Sequence, residues 1–496
     1  MSEWRFRVTP GIIPRSLLEK AYFAGWGRIP RLTKTSIQGD ELVIQSDCLG
    51  SGTVHVPMFH APLGVVMEST DTLLEQLEPC LLVRELARGA LGRLNRRLFD
   101  WQMLGFQHPE ALAGRVRDLA KRFSGFIVKD PLLTETEQNF VSILEELSQL
   151  IVDENRAFAE QSLSWRMRHN TRLSVFLGVG MNAQRIETLH EFDVCAQCLN
   201  HAFRAVVPMP AWRELEPLPG QFDWDRLEKQ LLIPPRFGFQ TVLGPLLSFS
   251  ADMLPKWLLP KLAEEDYFES KAARFVNALA ERYGYLAHSW ILANRFTDQS
   301  LSEMPPERTL TLIQILAQQL RSRGIDTPIS VGIGQPWGEY AVQRLPKWEQ
   351  VQIAETLMGC RDIDVFLLEM DFGCGEHRTL PRDPISVGSM IDQWSFLGKK
   401  LYVSLSVPSD GNLFEPALES SPKMTWSEER QRTWTETLLL TLLGKHSVQG
   451  IFWSCLQDPK VPAKSTSECN YGLINAQQAL KPAFKHFAAA QKKLLQ

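Results

Sequence analysis

The chain has 496 residues, 44% of them hydrophobic and 22% charged, a composition typical of folded globular proteins and a length too great for one ordinary core. A formal net charge of −4 gives no electrostatic reason to expect nucleic acid or an anionic membrane as partner. No run of about 18 uncharged apolar residues predicts a membrane span.

The opening "MSEWRFRVTPGIIPRS" is charged and lacks the apolar stretch of a secretory signal, so a cytoplasmic location is expected. The eight Cys are scattered, which predicts buried thiols in a reducing compartment rather than a disulfide framework. Residues 1 to about 66 read as β-rich, with short β-branched or alternating runs in "ELVIQSD", "TVHVPMF" and "LGVVMES". From Thr70 the apolar spacing turns helical through "DTLLEQLEPCLLVRELARGALGRLNRRLFDWQML", with Pro79 breaking or starting a helix. A second long helix is expected over about 134–167, and a domain boundary near 170, in the polar run "RMRHNTR". The N-terminal module, 1–170, is therefore expected to be a partial sheet packed on helices. A carbohydrate-binding-like role is one reading of it, although a full sandwich needs about seven strands.

Residues 171–496 alternate between apolar strands and amphipathic helices. The predicted strands are 173–180, 203–209, 239–247, 286–294, 328–336, 364–372, 400–408 and 450–457. Most are apolar on both faces, as parallel strands buried on two sides must be. Eight βα units over this span predict a (β/α)8 TIM barrel, an α/β fold; no Gly-rich phosphate fingerprint favours an open doubly wound sheet. Chemistry then belongs at the C-terminal strand ends. These offer Trp212 after strand two, Asn294 and Arg295 after strand four, and Gln335, Trp337 and Glu339 after strand five. Glu369 and Asp371 end strand six, Ser404 and Ser406 end strand seven, and Trp453 ends strand eight. "CAQC" at Cys195–Cys198 is the one close cysteine pair; without a second pair or a nearby His it is a weak metal or redox signal. None of the ten His forms a ligand-spaced set, so no metal and no other cofactor is expected. His288, inside an apolar run, reads as a hydrogen-bonded core residue.

"WRELEPLPGQFDWDRLEKQL" (212–231) resembles the strand-two loop of family 10 glycoside hydrolases, the endo-β-1,4-xylanases, through Trp212, Glu216, Pro217, Gly220, Phe222 and Trp224. "LGPLLSFSADMLPKWL" (243–258) is similar to that family's strand-three region, and Trp290, Asn294 and "GIFWSCLQDP" extend the likeness over about 171–490. The resemblance implies a carbohydrate partner and hydrolysis of O-glycosidic bonds in a β-linked glycan. It also implies carboxylates ending strands four and seven, where this chain has Arg295 and Leu405. An Arg does not release its proton near neutrality, and an aliphatic side chain has no lone pair to attack an anomeric carbon. The strand-three His is matched by Pro245, and "VVPMPAW" lacks the residues that grip a sugar ahead of the Trp.

Two outcomes follow. The acid–base work could have moved to Glu369 with Glu339 or Asp371, with Trp212, Asn294, Arg295, Gln335, Trp337, Asp371 and Trp453 around the sugar. Alternatively the chain is a non-catalytic sugar-binding or protein-interaction barrel, with Arg295 and Trp337 holding a ligand or with Arg295 paired to Glu369 in a filled, dead site. A partly desolvated carboxylate at a strand end has a raised pKa, which suits a proton donor.

Overall fold

The computed structural model describes residues 2–48, 50–61, 63–75, 78–128, 134–169, 173–181, 199–264, 266–299, 301–373, 378–411, 425–459 and 470–495. The Cys195–Cys198 pair lies outside the described residues.

In the N-terminal part, strands β1 (Ser2–Arg7), β2 (Tyr22–Ala24), β3 (Thr33–Gln38), β4 (Glu41–Ser46), β5 (Thr53–His60), β6 (Gly64–Ser69) and β7 (Cys80–Leu81) form two sheets. Their orders are β3-β4-β1-β7 and β2-β5-β6. Strict alternation builds β1, with Trp4 and Phe6 turned inward between charged neighbours. Helical structure begins later than the apolar spacing from Thr70 predicts. Pro79 precludes continuous helix there, Cys80 and Leu81 pair with β1, and the helix runs Leu82–Met103. Helices Glu110–Ile127 and Thr134–His169 follow; only the second of these was expected, although the first carries a clear amphipathic period.

The remaining strands are β8 (Phe176–Met181), β9 (Ala205–Pro208), β10 (Gln240–Leu243), β11 (Leu247–Ser248), β12 (Ser289–Asn294), β13 (Ile329–Gly334), β14 (Val365–Asp371), β15 (Lys400–Ser406) and β16 (Val448–Trp453). They are parallel neighbours throughout, and the pairings β16–β8 and β10–β12 close them into an eight-strand barrel in which β10 and β11 share the third position. All eight predicted barrel strands are present. The lumen floor is filled by Phe176, Tyr402 and Phe452, whose rings meet edge-to-face at 5.3–5.5 Å. Glycine is required beside them: a β-carbon at Gly178 would lie 2.5 Å from Phe452, and one at Gly450 would lie 2.9 Å from Tyr402.

The N-terminal part lies against the outside of the barrel, and one apolar cluster runs through both. Trp434 donates to the Leu63 carbonyl at 2.8 Å, Asn155 to Thr441 at 2.8 Å, and Arg382 to the Tyr22 hydroxyl at 2.6 Å. Beneath these contacts Arg93 binds Glu68 and stands 3.8 Å from Asp383. Among the described residues no helix is long and apolar enough to cross a membrane.

Candidate active site

Side chains alternate along each barrel strand between the lumen and the outer helices, so parity decides which residues can meet. On β14, Val365 and Leu367 belong to the inner core, and Glu369 and Asp371 continue that face at the C-terminal end. On β15 the inner face is Tyr402, Ser404, Ser406; Ser404 stands beside Glu369 and Ser406 beside Asp371. Leu405 has the opposite parity. It is fully buried in the outer layer, in register with Met370 and Trp453. The expectation that Leu405 faces the mouth of the barrel is therefore corrected: the lumen positions of strand seven at this level are serines.

Glu369 accepts a hydrogen bond from Asn294 Nδ2 at 2.8 Å. The two residues sit on β14 and β12, with β13 between them. They reach each other because β13 offers no side chain: a β-carbon at Gly332 would lie 2.7 Å from Asn294 Cβ and 3.1 Å from Glu369 Oε1. The spacing "GIG" at 332–334 was a readable sign of close approach within a strand. Desolvation, and next the like charge of Asp371, push the Glu369 carboxyl up to about 7. The Asn294 hydrogen bond and the Arg295 guanidinium oppose that rise without cancelling it.

Arg295 does not pair with Glu369, contrary to the filled-site expectation. Its φ of 55° puts a non-glycine residue in the left-handed region at the strand end, and its guanidinium stands 3.8 Å from Asp252 in the strand-three loop. The side chain is 29% exposed, so its charge stays partly solvated.

The other predicted site residues divide between rim and core. Glu339, after β13, is bound by Arg382 Nη2 at 2.8 Å and by the Thr379 hydroxyl, so both of its oxygens are engaged on the N-terminal side of the barrel wall. Burial pushes its carboxyl above the usual range, while Arg382 and Thr379 pull it back. It does not meet Glu369. Trp337 lies under Arg382, with 4.8 Å from guanidinium to ring, and Gln335 donates to the Arg378 carbonyl at 3.0 Å. Trp212 is buried, stacked on Phe275 and donating to Glu216 at 2.8 Å. Trp453 is wholly buried, donating to the Tyr471 carbonyl at 2.8 Å with its ring against Phe487. Both indoles are core side chains with no face open to a sugar, which corrects their assignment as binding platforms. His288 is exposed at the start of β12, and its ring accepts from the Thr241 amide at 3.2 Å, so it is no core residue. Arg382 and Thr379 were missed because nothing in "RTLPRD" marks them by spacing. Among the described residues no group of three or more His, Cys, Asp or Glu could hold a metal ion.

No family model matches the chain, and no curated protein matches it. Among solved structures it is similar to xylanase 10B from Thermotoga petrophila RKU-1 in complex with xylobiose, at 12% identity and a TM-score of 0.51, over 65% of this chain and 95% of that one. Native xylanase 10B from Thermotoga maritima superposes at 12% identity with a TM-score of 0.48, over 68% of this chain and 97% of that one. The first likeness establishes the fold: this chain carries a barrel of the kind found in family 10 xylanases.

Proposed function

We propose that the protein is a glycosidase-like carbohydrate protein, made of an N-terminal part (1–170) and a barrel (171–496), that hydrolyses an O-glycosidic bond in a β-linked glycan with Glu369 as proton donor. The observation that carries this reading is the Glu369 carboxyl: it faces the lumen at the end of β14, is positioned by Asn294, and has its pKa raised to about 7. A carboxyl still protonated near neutrality can hand a proton to a leaving oxygen. Asp371, two residues on along the same face, is the second carboxylate, in place of the Glu339 considered from the sequence. Alternate residues of a strand are about 6.6 Å apart. That is the separation of their Cα atoms; a carboxyl separation of about 6.5 Å or more holds a water between acid and base, as inverting enzymes need, and about 5–5.5 Å a covalent route.

A second reading, sugar binding without turnover, is favoured by one observation. The lumen positions of β15 beside Glu369 and Asp371 are Ser404 and Ser406, so strand seven adds no carboxylate. Purified protein incubated with β-1,4-linked xylo- and gluco-oligosaccharides separates the two. The enzyme reading expects cleavage that falls off above about pH 7, and a loss of about 100-fold or more in Glu369→Gln. Glycan binding with no cleavage in either form would sink it in favour of the binding-only reading.

A further inference from the structure

A cavity of 740 Å³ lies between the N-terminal sheets on one side and, on the other, the loop after β13 and the helices Gln350–Met358 and Pro384–Ser395. Its size fits a small organic molecule, and junctions between packed units are where such sites concentrate. The walls are largely apolar and aromatic, with Met67 from the N-terminal part facing Trp337, Tyr340, Met390 and Trp394 from the barrel, and exposed Trp26 at the rim.

The charges lining it are unequal. Arg31 is neutralised by Glu349 at 2.6 Å, and Lys347 by Glu307 at 2.9 Å. Arg382 is 5% exposed; one of its nitrogens serves both Tyr22 and Glu339, and its Nε and Nη1 are buried without a hydrogen-bond partner among the described residues. Unmet donors of a buried guanidinium cost free energy until an acceptor arrives. Arg28, at the cavity edge, forms no ion pair with a described residue and is held at φ 61°, a conformation that disfavours a long side chain. Desolvation, and next the guanidinium groups of Arg93 and Arg96, hold its pKa below the ordinary value against the opposing pull of Asp383 and Asp71, while its side chain keeps access to solvent at the rim. An anion in the cavity would lessen the two electrostatic costs, the unmet Arg382 donors and the crowding of Arg28 by like charges.

We propose that this cavity binds a small aromatic carboxylate, its planar body against Trp337, Tyr340 and Met390 and its charge toward Arg28 and Arg382. The site is separate from the Glu369 centre and does not rest on the reading of that centre. The aromatic walls suit a flat ring system, and the two cations supply the charge-assisted hydrogen bonds that select an acid over its neutral analogue.

Titration calorimetry of the full chain with 2-naphthoate and with 2-naphthamide, which has nearly the same shape and no charge, tests this. One site is expected, with the acid binding at least about tenfold tighter than the amide. Arg28→Asn keeps a residue that accepts left-handed φ; it is expected to lower acid affinity about tenfold, leave amide affinity unchanged and leave the melting temperature unchanged. Ser389→Phe, which fills the cavity from the helix Pro384–Ser395, is expected to abolish binding of both. Equal affinities for acid and amide, absence of binding by either, or an Arg28→Asn variant that affects both probes alike would each overturn the proposal.

Discussion

Two buried glutamates in this molecule have opposite chemistry. Glu68, in the contact between the N-terminal sheets and the barrel, would be raised by its burial, yet Arg93 and His60 hold its carboxyl at about 2. Glu369, at the barrel mouth, undergoes a similar desolvation with a neutral amide for hydrogen-bond partner and Asp371 for neighbour, and rises to about 7. Desolvation therefore does not distinguish a structural carboxylate from a candidate acid; the charge placed beside it does. Glu339 lies between the two, largely desolvated and held by Arg382 as Glu68 is by Arg93. The wall contacts pair their carboxylates with arginines, and the mouth leaves Glu369 without an ion-paired cation among the described residues.

Removing the cation at the wall is the severest way to break this contrast. Arg93→Ala leaves Glu68 buried with only His60, and chemical denaturation at pH 7 should show a loss of about 3–5 kcal/mol. A smaller effect of opposite sign is expected at the mouth. Glu369 has a folded pKa above its unfolded value, so its ionisation lowers stability progressively as pH rises from about 4.5 through about 7. Glu369→Gln should therefore gain about 3 kcal/mol over the parent at pH 8.5 relative to pH 4, read from denaturation midpoints. Glu68 carries the reverse sign: its contribution is present above about pH 4.5 and is lost as pH falls toward about 2, so acid unfolding should set in at higher pH in Arg93→Ala. The mildest change sharpens the comparison. Asn294→Ala removes the one hydrogen bond that the Glu369 carboxyl accepts among the described residues, should cost about 1 kcal/mol, and should move the Glu369 titration upward in carboxyl NMR. A downward shift would show that the amide does not stabilise the ionised form.

The barrel was legible because most of its strands carry a largely apolar run between helical periods, as "DVFLLEMDF" and "KLYVSLSVP" illustrate. Glu369 was legible too, as a carboxyl where an apolar strand surfaces. Leu405 was misread by a single position, which in a strand exchanges the lumen for the outer layer. Trp212 and Trp453 were misread because an indole at a strand end looks the same in sequence whether it stacks on a ligand or seals a core. The Arg382–Glu339 pair was invisible, since its partners are 43 residues apart and belong to loops with no periodic pattern.

By itself the sequence determined which segments become strands, that eight of them alternate with helices, and that acids cluster after the sixth. Those are local properties, written in apolar spacing along the chain. Only the tertiary structure decided that Asn294 reaches Glu369 across Gly332, that Arg295 turns to Asp252, and that the arginines of the wall neutralise Glu68 and Glu339. Contacts of that kind depend on strand register and on the absence of an intervening side chain, and neither is a property of any one segment.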